Sequence, residues 1–171
     1  MNSHETENLI SPSEISNPQL GVTKNPYVYA GFWLRMLAEI IDSIVLTFLT
    51  SAIAFVIYRI AEILGFGRLE DANGLLIQAF EMILFVILST PYYVYGHYRY
   101  GTTVGKVIFK IRVYDYPSLG RITLKQSWMR FTGYGVSYLT LGVGFLIAAF
   151  HPEKRALHDL ISKTVSLRRI K

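Results

Sequence analysis

The chain has 171 residues, a length that suits one domain, and 51% of them are apolar. It contains no cysteine, which excludes disulfides and cysteine-based metal sites or nucleophiles. Its net charge of +5 gathers in two soluble stretches while the apolar residues bunch into long runs, the pattern of an integral membrane protein.

Residues 1–26 are polar and acidic, carry Pro12, Pro18 and Pro26, and read as a disordered tail. They lack the apolar h-region of a cleavable signal, so the first span is expected to act as the insertion signal. "NPYVYAGFW" then brings aromatic rings to the membrane surface. The first span is expected at about 36–58, and "GFGRLEDANG" (65–74) is a short turn-forming connection. The second span is expected at about 75–96, antiparallel to the first. It closes in "PYYVYGHYRYG", where Tyr92, Tyr93, Tyr95, Tyr98 and Tyr100 make a second aromatic belt.

Residues 97–131 are basic: Arg99, Lys106, Lys110, Arg112, Arg121, Lys125 and Arg130 face a single acid, Asp115. Within them "FKIRV" alternates, with Phe109, Ile111 and Val113 on one face and Lys110 and Arg112 on the other, the period of a half-buried strand. "RITLK" alternates as well, and so does "KTVSLRR" near the C-terminus. Together they predict a small β-ribbon at the membrane surface. A third apolar run, 134–150, is borderline for a span.

Charge sets the expected topology. Positive loops stay in the cytoplasm, which places 65–74 outside and both 97–131 and the tail after His151 inside. A single crossing at 134–150 would put that tail outside. The conflict disappears if the segment enters and returns or lies in the interface, and Gly133, Gly135, Gly142 and Gly144 provide places to bend. A true third span is the alternative.

The charges at the start of the first span need an explanation. Arg35, Glu39 and Asp42 fall within about 60° of one another on a helix and share one face. Asp42 lies about 10 Å deeper than Arg35, where a bare charge costs roughly 2.5–3.5 kcal/mol. Ser43, Thr47 and Thr50 extend a polar stripe, and the second span adds Glu81. Two readings are open. The charges form an ion network that fixes helix depth and packing, or Glu39, Asp42 and Glu81 bind and release a cation or proton. On the first reading Arg35 bridges Asp42 and Asp159, with Glu39 between them, because a guanidinium offers enough donors for two carboxylates.

Other motifs exclude functions. "GTTVGKV" lacks the spacing and the hydroxyl residue of a phosphate loop, so it reads as a tight turn that brings Lys106 near the headgroups. His151 and His158 lack the spacing of a helical metal pair. His158 beside Asp159 is a weak acid/base pair; Asp159 capping a turn or pairing with an arginine is the simpler reading. No nucleophile elbow or hydrolase pair of acids is visible, so neither an enzyme nor a cofactor is expected. The basic residues lie beside the bilayer, where anionic lipid headgroups, contacted by Lys106, Lys110 and Arg112, are a simpler partner than nucleic acid.

These residues carry a resemblance. An arginine opening the first helix (Arg35), an aspartate within it (Asp42), the segment "GTTVGKVIFKIRVYD" and the closing "LHDLISKTVSL" with Asp159 resemble the RDD family of small membrane proteins. The resemblance covers about residues 28–169. It departs at Ser162, where a small residue is usual, and at Glu39, a charge the pattern does not require. It implies membrane location more firmly than an activity, since some members look like cation/proton antiporters and others like accessory subunits. The expectation is an all-α membrane protein with two to four transmembrane or re-entrant helices and a small cytoplasmic β-ribbon, its membrane domain at 27–169. It is expected in the bacterial cytoplasmic (inner) membrane, N-terminus inside, as a homo-oligomer or with unlike membrane subunits. Its expected function is that of a subunit or scaffold of a membrane complex; the alternative is a cation/proton antiporter centred on Arg35 and Asp42.

Overall fold

The computed structural model describes residues 27–66 and 73–170. The expected disordered tail and most of the 65–74 connection lie outside the described residues. Helix α1 (Phe32–Ile63) and helix α2 (Gly74–Tyr95) are the two long apolar helices. They run antiparallel: Tyr92 near the end of α2 meets Asp42 near the start of α1, and Tyr58 meets Glu81 at the other end. At 1.5 Å per residue α1 is about 48 Å long, well beyond a hydrocarbon core of ~30 Å. It therefore tilts or extends past the core. Its buried face is Arg35, Ala38, Asp42, Leu46, Thr50 and Ala54, one residue per turn, while Trp33, Leu37, Ile40, Phe48 and Phe55 look outward. That seam of small and polar residues suits close approach of helices in lipid.

Helix α1 is longer than the sequence suggested, and α2 matches its expected span but is prolonged by a further turn. Helix α2 continues through Pro91 into a π-helical turn (Gly96–Tyr100) and stops at Gly101 with φ +66°. After it come a short helix α3 (Val104–Ile108), strand β2 (Ile111–Asp115), and helices α4 (Leu124–Leu139), α5 (Val143–Phe150) and α6 (Leu157–Ser162). Strand β3 (Thr164–Arg169) closes the chain.

The ribbon is a three-stranded antiparallel sheet, with β3 between β2 and β1 (Tyr27–Tyr29). Two details differ from the expectation. "RITLK" is not a strand: the Thr123 side chain accepts from the Gln126 amide, the Gln126 side chain bonds back, and this capping box starts α4 at Leu124. Five alternating residues were a weaker signal than a T-x-x-Q cap. Conversely Tyr27–Tyr29, read only as surface aromatics, pairs with Arg169–Leu167 as an edge strand. Because β3 is central, Thr164, Val165, Ser166 and Leu167 are all buried. The exposed basic side chains Lys110 and Arg112 lie on and beside β2.

The third apolar run is broken. Helices α4 and α5 meet at 105°, and the corner is Leu141 and Gly142, both with positive φ. Gly142, at +86°, is the residue type that takes that conformation without strain. The pairing of β1 with β3 holds the residues entering α1 beside the end of the chain, on the same side of any bilayer the two long helices cross. The bent pair fits both an entry and return and a broken third span, giving two or three membrane-spanning helices.

Candidate functional site

Three carboxylates meet three cations where α1, α3, α4 and α6 converge below the sheet. Asp42 is fully buried. Its Oδ2 accepts from Thr103 Oγ1 at 2.5 Å, and its Oδ1 accepts from Tyr92 Oη at 2.5 Å and from the Gly105 amide at 2.7 Å. The segment that mimics a phosphate loop thus does cradle an anion, and the anion is the chain's own Asp42. A Cβ on Gly105 would sit 2.1 Å from the Ala38 carbonyl oxygen, so glycine alone lets α3 press this close to α1.

Glu39, one turn earlier, accepts from Lys106 Nζ at 2.7 Å and from Tyr93 Oη at 3.3 Å. Lys106 is wholly buried and also contacts Tyr134 Oη at 3.0 Å and His97 Nε2 at 3.3 Å. This corrects the expectation that Lys106 lies near lipid headgroups. The short helix α3 turns its side chain inward, where a carboxylate waits. Burial alone would favour the neutral amine, but Glu39 outweighs it and holds the ammonium above its ordinary pKa.

Asp159 is fully buried as well. It pairs with Arg35 at 2.5 Å and Arg130 at 2.5 Å, and it caps its own helix by accepting from the Ala156 amide at 2.9 Å. Burial opposes its charge, yet the two guanidinium groups prevail and keep its pKa far below the usual carboxylate range. Arg35 also donates to the Lys154 carbonyl at 2.7 Å and meets His158 Nε2 at 2.9 Å. Arg130 further bonds the Thr164 hydroxyl of β3.

Aromatic rings join the two halves. Tyr134 stacks on His158 at 4.2 Å and on His97 at 6.2 Å, and its hydroxyl lies within reach of both Lys106 and Arg130. Burial, together with Arg130 and Arg35, pushes the His158 pKa well below its ordinary value despite Asp159 beside it. Its ring is therefore neutral, and with Nε2 against a guanidinium its proton resides on Nδ1.

The structure brings Arg35 and Asp159 together as expected and leaves Asp42 out of that pair. Arg35 reaches outward to the C-terminal segment, whereas Asp42 is served by hydroxyl and amide donors from α2 and α3. Glu39 does not sit between them but takes Lys106. Glu81 stands apart, exposed, with Tyr58 Oη at 3.4 Å. Arg130, Tyr134, Tyr92, Thr103 and His97 were not read as site residues in the sequence; Arg130, Tyr92 and Thr103 meet their carboxylates 29, 50 and 61 residues away, which leaves no local period. Lys110 and Arg112 remain exposed and, with Tyr27, Thr102 and Arg169, line a basic hollow of about 400 Å³ beside the sheet.

Arg35 also borders a second, larger groove between α1 and the α4–α5 corner, about 640 Å³ in volume. Ile40, Ile44, Phe48, Leu141, Phe145 and Leu146 make its apolar walls, and Glu39, Ser43 and His158 add polar groups.

The chain is similar to proteins from two bacteria. It is 32% identical to protein RP437 of Rickettsia prowazekii (strain Madrid E) over 92 residues, 52% of this chain and 51% of that one, so the match spans about half of that relative. It is 30% identical to protein YxaI of Bacillus subtilis (strain 168) over 144 residues, 79% of this chain and 94% of YxaI. The membrane protein YteJ of the same organism is 22% identical over 81% of this chain and 80% of its own length. No solved structure matches. The family model described as "RDD family" matches residues 29–163, which contain Arg35, Asp42 and Asp159, and this chain is a membrane protein that belongs to the RDD family.

Proposed function

We propose that this chain is a non-catalytic subunit or scaffold of a complex in the bacterial cytoplasmic membrane. One observation carries this reading: the buried acids are saturated from within. Asp42 holds three donors, Asp159 holds two guanidinium groups and an amide, and Glu39 holds an ammonium and a phenol. A carrier must bind its cation and let it go, and acids clamped in this way favour a fixed shape instead. The network ties the sheet and α6 to the first helix and so presents the outer helix faces in one arrangement to a partner. By the positive-inside rule the sheet-bearing side, with Lys110, Arg112, Arg121 and Lys125, faces the cytoplasm, and the N-terminus with it. There Lys110 and Arg112 meet anionic headgroups, worth about 1 kcal/mol each.

The test is native mass measurement and affinity capture of the full chain from its own membrane in mild detergent. A stoichiometric unlike membrane subunit is expected; a pure homo-oligomer counts against the reading. One observation favours cation/proton exchange as a second reading: Glu39, whose side chain is 12% exposed, is the network acid that borders the larger groove. Under that reading Glu39→Gln would abolish ion-driven proton movement in a protein that still folds.

A further inference from the structure

The groove beside α1 has one polar end. The α1 residues lining it run from Phe32 to Phe48, about 24 Å along the axis. The cavity offers about 640 Å³, in the range of small-molecule sites. It is longer than one leaflet of hydrocarbon, about 15 Å. Ile40, Ile44 and Phe48 make its α1 wall, interrupted by the hydroxyls of Ser43 and Thr47, and the facing side is Leu141, Phe145 and Leu146.

The polar end is made by Arg35, His158 and Glu39, the last already engaged by Lys106 and Tyr93, at the level of the exposed Trp33, a residue that favours the membrane–water interface. His158 is 2% exposed, and its Nδ1 has no hydrogen-bond partner among the described residues. Because Nε2 faces Arg35, Nδ1 is a donor left without an acceptor. Arg35 is already engaged by Asp159, His158 and the Lys154 carbonyl. This end therefore offers a neutral N–H rather than an unpaired cation, and a neutral oxygen suits it better than an anion.

We propose that this groove binds one acyl chain of a membrane phospholipid, with the ester carbonyl of that chain accepting a hydrogen bond from His158 Nδ1. The chain lies along α1 and wedges between it and α5, and the ester sits at the interface where Trp33 places it.

The experiment reconstitutes the full chain in vesicles of phosphatidylethanolamine and phosphatidylglycerol holding a trace of phospholipid with a diazirine midway along one acyl chain. After irradiation the labelled residues are mapped. Label is expected on Ile44, Phe48 and Tyr138 several-fold above that on Val45 and Leu49, which are exposed at the same depth outside the groove. An ether-linked probe, which lacks the carbonyl, should label these positions about tenfold less, the effect of leaving a buried donor unpaired. Ile44→Trp, which fills the groove, should bring Tyr138 down to the Val45 level at unchanged thermal unfolding. Even labelling of both faces, equal labelling by ester and ether probes, or chain-to-chain cross-links through Ile44 in place of lipid would overturn the proposal.

Discussion

Asp159 is the residue on which most of the network turns. Changing it to Asn leaves Arg35 and Arg130 buried without a counter-charge, a loss of about 3–5 kcal/mol for a broken buried pair. Arg35→Ala removes only one of its two cations, so Arg130 still neutralises the acid. Asp159→Asn should therefore lower the thermal unfolding temperature in detergent more than Arg35→Ala does; the reverse order would show that the two arginines do not share this acid. Asp42 behaves differently because its partners are neutral. Asp42→Asn points an amide N–H₂ at hydroxyl and backbone donors, and the expected loss is smaller, about 1–3 kcal/mol. His158 adds a pH dependence with a definite sign. In the unfolded chain it takes a proton below its ordinary pKa of ~6.5, and in the folded chain it does not. The unfolded state binds more protons there, so stability falls as pH drops from 7.5 to 5. His158→Gln should flatten that slope; an unchanged slope would assign the dependence to other groups. Arg35 and Asp42 were legible in the sequence because charges at the start of an apolar helix stand out, and Asp159 because the segment around it resembles the family's closing motif. Lys106 was misread because a lysine after a glycine-rich turn resembles a surface cation. Only its distance to Glu39, 67 residues back in the chain, shows that it is an internal counter-ion.

Among the elements, the long helices and two of the three strands were readable from apolar length and alternation, both local signals. The edge strand β1 was not, since three residues carry too little pattern and its partner lies 140 residues away. The broken run at 134–150 was readable from charge placement rather than from its own hydropathy, which fits a span equally well. The antiparallel β1–β3 pairing gives a direct check on the side shared by both ends of the membrane domain. Val28 and Arg168 are directly paired and both exposed. Directly opposite Cα atoms lie about 4.5–5.5 Å apart, within the range of a disulfide. In this cysteine-free chain the double variant Val28→Cys/Arg168→Cys should cross-link in intact membranes. Free thiols that label from opposite sides would make 134–150 a third crossing. At the corner between α4 and α5, Gly142→Ala should destabilise by about 1–2 kcal/mol, because a side chain is strained at that φ. A wild-type unfolding temperature would mean the corner relaxes.

At the scale of the molecule, a small sheet and a bent helix pair are fastened to a pair of long helices by charges that cancel one another. Arg35, Lys106 and Arg130 balance Glu39, Asp42 and Asp159, and Tyr134 links the two groups. The family pattern of arginine and aspartates thus reads as a clasp between the ends of the domain. The sequence could not separate a clasp from a carrier, because both require acids near a membrane helix. The difference lies in how many internal donors each acid already holds. Proton movement driven by an imposed sodium or potassium gradient, measured in liposomes containing the purified chain, tests this claim most directly. The clasp predicts flux equal to that of empty liposomes for wild type and Asp42→Asn alike. Flux well above that background, abolished by Glu39→Gln or Asp42→Asn while thermal unfolding shows a folded protein, would contradict it.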